Sequence, residues 1–201
     1  MTRWPGYYDV VILPPPPVRD YAIELSRRLR RRGGRWTLGT RAFLPHISLY
    51  HIPVARENLD AFVEQLQRVA QTAAWGRLTT IGFDMPLLML DKPAWLDALC
   101  RKVIARTAQF FDWDYGAEKK WSLRWFAGRR LQMAERYLQR YGTPMYGMNF
   151  RPHITLTVFD DPNAARDVKL PLRRMSFAVD RIHVCELGES HTCQRIVREI
   201  R

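Results

Sequence analysis

PHISLYHI (45–52) and PHITLTVF (152–159) decide how this chain is read. Their first five residues agree at four positions, and the remaining one exchanges Ser48 for Thr155, one hydroxyl for another. The copies stand 107 residues apart, each opened by a proline. Each reads as a strand, and alternate strand residues face opposite sides. His46, Ser48 and Tyr50 are then expected on one face, with Ile47 and Leu49 behind. In the second copy His153, Thr155 and Thr157 share a face, backed by Ile154, Leu156 and Val158. His51 falls on the Ile47 and Leu49 side, which marks it as structural. Each copy thus presents an imidazole and a hydroxyl side by side.

The segments around the two copies repeat in kind. YYDVVIL (7–13) is β-branched and aromatic and stops at a proline run, so it predicts a strand and a rigid turn. Val18, Tyr21, Ala22, Leu25 and Leu29 recur at helical spacing before Gly33-Gly34. Leu59, Phe62, Val63, Leu66, Val69 and Ala70 form a second apolar stripe. RLTTIGF (77–83) and LLML (87–90) predict a strand pair. Asp91 and Pro93 open a helix whose buried face is Trp95, Leu96, Leu99, Val103 and Ile104. Residues 112–130 mix aromatics and charges without a period and read as a loop or flap. A helix follows through Leu131, Ala134, Leu138 and Tyr141, and FAVDRIHVCEL (177–187) and QRIVREI (194–200) read as closing strands. Strands and helices mix without strict βαβ alternation. That predicts an α+β fold with mainly antiparallel sheets: a single bilobal domain over 1–201 with a central cleft. The lobes are expected near 1–92 and 93–201, exchange of strands between them being an open arrangement.

Bulk properties narrow the class. At 47% hydrophobic and 26% charged, the 201-residue chain has the balance of a globular protein with a real core. The 32 Lys+Arg against 20 Asp+Glu leave a net charge of +12, which draws anionic and above all phosphate-bearing partners. Most of these cations are arginines, whose fork fits phosphate oxygens. The run RRLRRRGG (27–34) has two readings, a dipole-matched helix end or an RNA-facing patch. Cys100, Cys185 and Cys193 are odd in number and lack metal spacing, so neither a disulfide framework nor a zinc site is expected. The N-terminal stretch is too short and interrupted for a signal peptide or membrane span. A cytoplasmic monomer, with no membrane association, is the expectation.

Two imidazoles and two hydroxyls, brought together across a cleft by approximately two-fold lobes, are what phosphodiester hydrolysis requires. One histidine takes a proton from water and the other gives one to the leaving oxygen. Ser48 and Thr155 can donate to the non-bridging oxygens. The scheme needs no metal and no cofactor.

On His46-Ile47-Ser48-Leu49 and His153-Ile154-Thr155-Leu156, with Arg151-Pro152 before the second, the chain resembles the two-histidine (2H) phosphoesterases. These carry two His-x-Ser/Thr-x motifs and include 2′-5′ RNA ligase-like proteins and RNA 2′,3′-cyclic phosphodiesterases. The resemblance implies metal-independent action on 2′,3′-cyclic or 2′-5′ linked phosphates of RNA ends or small cyclic nucleotides, with His46, Ser48, His153 and Thr155 catalytic. Tyr50, Arg151 and Thr157 are the expected substrate contacts. The alternative is a non-catalytic, basic module of the same fold that binds RNA or nucleotide phosphates. His183 is read as packing and His191 as part of a turn. Trp113, Tyr115, Trp121, Trp125 and Phe126 have two roles open to them, base stacking or packing of a lobe extension.

Overall fold

The computed structural model describes residues 6–116, 123, 126–165 and 168–201. Eight strands form one antiparallel sheet in the order β6-β3-β4-β5-β2-β1-β7-β8. They are β1 (Gly6–Ile12), β2 (Ile47–Val54), β3 (Arg77–Asp84), β4 (Leu87–Leu90), β5 (His153–Thr155), β6 (Ser176–Ala178), β7 (Ile182–Leu187) and β8 (Cys193–Ile200). The helices are α1 (Pro16–Arg30), α2 (Leu59–Gln71), α3 (Ala94–Thr107), α4 (Trp113–Gly116) and α5 (Gly128–Tyr141). The fold is α+β; α1, α2, α3 and α5 fall where the hydrophobic periods put them, while β5 stops at Thr155, FAVDRIHVCEL divides into β6 and β7, and α4 lies in the stretch read as a loop.

The repeated phrase supplies the two central strands, β2 and β5. Outward from β2 run β1, β7 and β8; outward from β5 run β4, β3 and β6. The two halves of the sheet therefore match in layout, and strands are exchanged across the sequence division expected near residue 92. Strands β3 and β4, early in sequence, join the half built on β5, and the last two strands join the half built on β2. The physical reason is pairing: the β3–β4 hairpin finds its open edge at β5, with Met89 opposite His153, and β7 closes on β1.

The core lies between the sheet and the helices. Val10, Ile12, Ile47, Tyr50, Ile52 and Ile154 pack with Phe62 and Leu66 of α2 and Leu96, Leu99 and Val103 of α3. Helix α5 ends on Gly142, whose φ of 68° is left-handed; a Cβ there would also strike the Phe111 ring. The other face carries the cleft and a small second cluster of Val11, Leu44, Cys185 and Cys193.

One irregularity reshapes that cleft face. Along β1 and β2, Val10 pairs with Tyr50, yet Val11 pairs with Ser48, so Leu49 is an extra residue in a β-bulge. Side chains beyond the bulge change sides. Tyr50 goes to the core face, and His51 comes round to the Ser48 face, opposite Asp9. Strict alternation had put these two residues the other way about.

Candidate active site

Each copy of the phrase holds its histidine by the same local device. The His46 Nδ1 donates to the Leu44 carbonyl at 2.7 Å, and the His153 Nδ1 donates to the Arg151 carbonyl at 2.7 Å. In both, the acceptor lies two residues back across a proline, which fixes the turn and favours extended backbone before it. A carbonyl can only accept, so Nδ1 carries a proton in both rings, and Nε2 of each is the atom left to take or give another. The carbonyls are anchored in turn by their neighbours: Leu44 N–H bonds the Cys193 carbonyl, and Leu90 N–H bonds that of Pro152.

The central pair then arranges the groups. Ile47 stands opposite Ile154, both fully buried. Continuing that antiparallel register by one residue each way sets His46 across from Thr155 and Ser48 across from His153. The two histidines are thus diagonal neighbours, a relation that sets residues roughly 7–8 Å apart with their Cβ atoms somewhat closer. All four side chains line one cleft.

Asp9 breaks the symmetry. It has no exposed surface, yet it lies in the middle of β1 and faces the cleft groups. Ser48 Oγ donates to its Oδ2 at 2.6 Å. His51 Nε2 lies 3.0 Å from the same oxygen and 3.1 Å from Ser48 Oγ. His46 Nε2 is 3.6 Å from it. A buried carboxylate is tolerated only with such partners. The His51 ring stacks on His191 with centroids 5.3 Å apart, and the Tyr7 ring meets both edge-on.

Burial pushes the His46 imidazole below its ordinary range, while the Asp9 carboxylate and the Leu44 carbonyl oppose that fall and His51 adds to it. Burial also lowers His153. The bond to the Arg151 carbonyl opposes the fall, and His46, His51 and Arg151 add to it. The two rings therefore sit in unlike fields.

Of the expected substrate contacts, two are placed differently. Tyr50 is 1% exposed, and its hydroxyl donates to the Tyr141 carbonyl at the end of α5; the bulge turns it to the core side, where it still forms part of the cleft lining. Thr157 is wholly buried; its hydroxyl accepts from Trp36 N–H at 3.3 Å and donates to the Trp36 carbonyl at 3.0 Å. Its role is to hold the segment that carries Trp36. Arg151 lies at the cleft rim, paired with Asp84 at 2.8 Å, both half exposed. His183 lies on β7 with Nε2 3.5 Å from Glu199 and takes no part in the cleft. Phe126 is buried under Arg130, and Trp113 leans on Phe111. Trp121 and Trp125 lie outside the described residues. Sequence reasoning missed Asp9, His51, His191, Trp36 and Phe43. The signal for Asp9 was available: a lone acid inside the apolar run YYDVVIL.

Among the described residues no three His, Cys, Asp or Glu side chains are grouped to hold a metal ion, and no helix is long and apolar enough to cross a membrane. Neither a protein-family model nor a curated protein sequence matches the chain. Solved structures do. TT0787 of Thermus thermophilus superposes with a TM-score of 0.59 at 16% identity, over 96% of each chain. E. coli LigT, in complex with NADP+, superposes with a TM-score of 0.54 at 16% identity, over 98% of this chain and 97% of its own. The chain shares the fold of these two proteins along essentially its whole length.

Proposed function

We propose that this protein is a phosphodiesterase of the two-histidine type, hydrolysing 2′,3′-cyclic phosphates, or 2′-5′ bonds, of RNA ends or nucleotides. One observation carries the reading: two imidazoles, tautomerically matched by backbone carbonyls, lie diagonally across one strand pair and line one cleft with two hydroxyls. The NADP+ bound to E. coli LigT supports a nucleotide as the ligand class for this fold.

The chemistry divides between the rings. His153, in a cationic field, is the neutral base: its Nε2 takes a proton from the water that attacks phosphorus. His46, with the Asp9 carboxylate 3.6 Å from Nε2, is the acid. It gives its proton to the ribose oxygen as the P–O bond breaks, leaving a phosphate monoester. The Thr155 hydroxyl donates to a non-bridging oxygen. Ser48, whose proton is held by Asp9, positions that carboxylate. Arg151 can leave Asp84 for the phosphate at small cost, since half-exposed ion pairs contribute at most about 1 kcal/mol. The net cationic charge of the chain favours a polyanionic substrate.

The test is turnover of a nucleoside 2′,3′-cyclic phosphate panel and a short RNA with a cyclic end, in EDTA, by wild type, His46→Ala and His153→Ala. Turnover by the wild type with a 2′-phosphate product, and losses of about a hundredfold or more in each variant, is the expected result. Wild-type inertness on the whole panel sinks the reading in favour of a binding module. Loss of wild-type activity in EDTA, restored by divalent metal, sinks the metal-free scheme.

A further inference from the structure

The wall of the cleft beyond His46 is the segment 33–44, and it is built with unusual care for a connection between a helix and a strand. Gly34 lies so close to Thr157 that a Cβ would come within 2.8 Å of its hydroxyl and methyl. Only glycine lets the chain pass there. Arg35 N–H bonds the Val158 carbonyl at 2.9 Å, and Thr157 bonds Trp36 on both its N–H and its carbonyl. Leu38 N–H bonds Ser26 Oγ of α1 at 2.8 Å, and Gly39 N–H bonds the Phe43 carbonyl at 3.1 Å. Phe43 itself holds a φ of 53°, a left-handed conformation that a bulky residue adopts only under constraint.

These bonds place two rings. Trp36 and Phe43 lie with centroids 6.3 Å apart and planes inclined at 32°, and both line the cleft that holds His46 and His153. The Trp36 Nε1 is buried and has no hydrogen-bond partner among the described residues. Buried indole N–H groups usually find one, because leaving a donor desolvated and unpaired costs stability. A rigid aromatic pair with an unmet donor, beside a phosphate site, fits a planar ring that carries acceptors.

We propose that Trp36 and Phe43 form a nucleobase subsite of the cleft: the base packs on their rings and one of its acceptors takes the Trp36 N–H. The subsite rests on the phosphodiesterase reading for the neighbouring phosphate, and it names the substrate as a nucleotide or nucleotide end. It also explains Thr157, the second phrase's third face residue, as the clamp that fixes Trp36.

The test is direct binding, by calorimetry, of a nucleoside 2′-monophosphate and of inorganic phosphate and ribose 5-phosphate as base-free probes. Wild type is expected to bind the nucleotide more tightly than either base-free probe. Trp36→Ala is expected to weaken nucleotide binding about 5- to 150-fold, the range for removing one stacking ring, and to leave phosphate binding as it was. Trp36→Phe keeps a ring and loses the donor, for a loss of about 2- to 13-fold. Should Trp36→Ala fail to fold, the phenylalanine variant decides alone. Unchanged nucleotide binding in that variant, or equal weakening of nucleotide and phosphate in either variant, overturns the subsite, as does wild-type protein that binds the nucleotide no better than phosphate. Binding does not need turnover, so an inert protein that holds nucleotides through Trp36 would lose the enzymatic reading and keep this one.

Discussion

His46 and His153 are held alike and placed in unlike fields. In each copy of the phrase a proline separates the histidine from the carbonyl that takes its Nδ1 proton, at the same 2.7 Å. Beyond that the copies part. The first sits against β1 and its buried Asp9, and its hydroxyl is spent on that carboxylate. The second sits against β4, where Leu88 faces Ile154, and its field is set by cations. A duplicated frame gives two equivalent imidazoles, and one acid from a neighbouring strand makes them inequivalent. The proposed hydrolysis needs that inequality, since one ring must start protonated and the other neutral.

The sharpest way to break the comparison is to change the leaving group. Replacing either histidine by alanine is expected to cost about 10²- to 10⁴-fold on a nucleoside 2′,3′-cyclic phosphate. A p-nitrophenyl phosphodiester leaves without needing a proton. On it, His46→Ala is expected to recover most of its lost rate, and His153→Ala to stay low. Recovery in His153→Ala instead would reverse the roles, and equal recovery would mean that Asp9 does not divide the pair.

The hydroxyls carry the next effect. Thr155→Val removes the hydroxyl assigned to the phosphate, and a lost oxyanion donor costs about 10²- to 10³-fold in kcat. Ser48→Ala takes its proton from Asp9 rather than from substrate, so its loss of kcat is expected to be smaller and accompanied by a lower Tm. Equal kcat losses in the two variants would make the hydroxyls equivalent after all.

Asp9→Asn tests the source of the difference through pH. The Asp9 charge holds the His46 pKa up against burial. Without it only the Leu44 carbonyl opposes burial, and the His46 pKa falls further. A general acid works only while protonated, so the basic limb of the pH–rate profile moves to lower pH. Were His46 the base, the acidic limb would be the one to move, giving more activity at low pH. The variant is also expected to unfold more readily by about 1–3 kcal/mol, because the buried partners lose a charged acceptor.

Periodicity made most of this fold legible. The stripes of α1, α2 and α3 and the strands of the two phrases follow from spacing alone, and the paired motifs pointed to the two histidines. Two features were hidden for physical reasons. Strand order depends on which hairpin edge finds which partner, and β3 and β4 crossing to β5 leaves no mark in local sequence. The bulge at Leu49 is a tertiary event: with it, Ser48 and His51 share a face despite an odd spacing, and Asp9 faces both. Trp36 and Phe43 lay in a stretch without any period, where only contacts reveal a wall.

The bulge makes the smallest prediction and the most specific one. If Tyr50 lay on the cleft face, as alternation alone would put it, Tyr50→Phe would remove a polar contact to substrate and raise KM. In the structure its hydroxyl caps a carbonyl of Tyr141 that the helix end leaves unpaired. Tyr50→Phe is therefore expected to cost about 0.5–1.5 kcal/mol in a denaturant titration, with KM and kcat near wild type. The companion change His51→Phe keeps the ring stack on His191 and removes the nitrogen beside Asp9, so it is expected to lower kcat. A Tyr50 variant that fails in KM while His51→Phe is kinetically silent would put the strand back on strict alternation. The two copies of the phrase would then be equivalent beyond their histidines, and the Asp9 asymmetry would lose its structural basis.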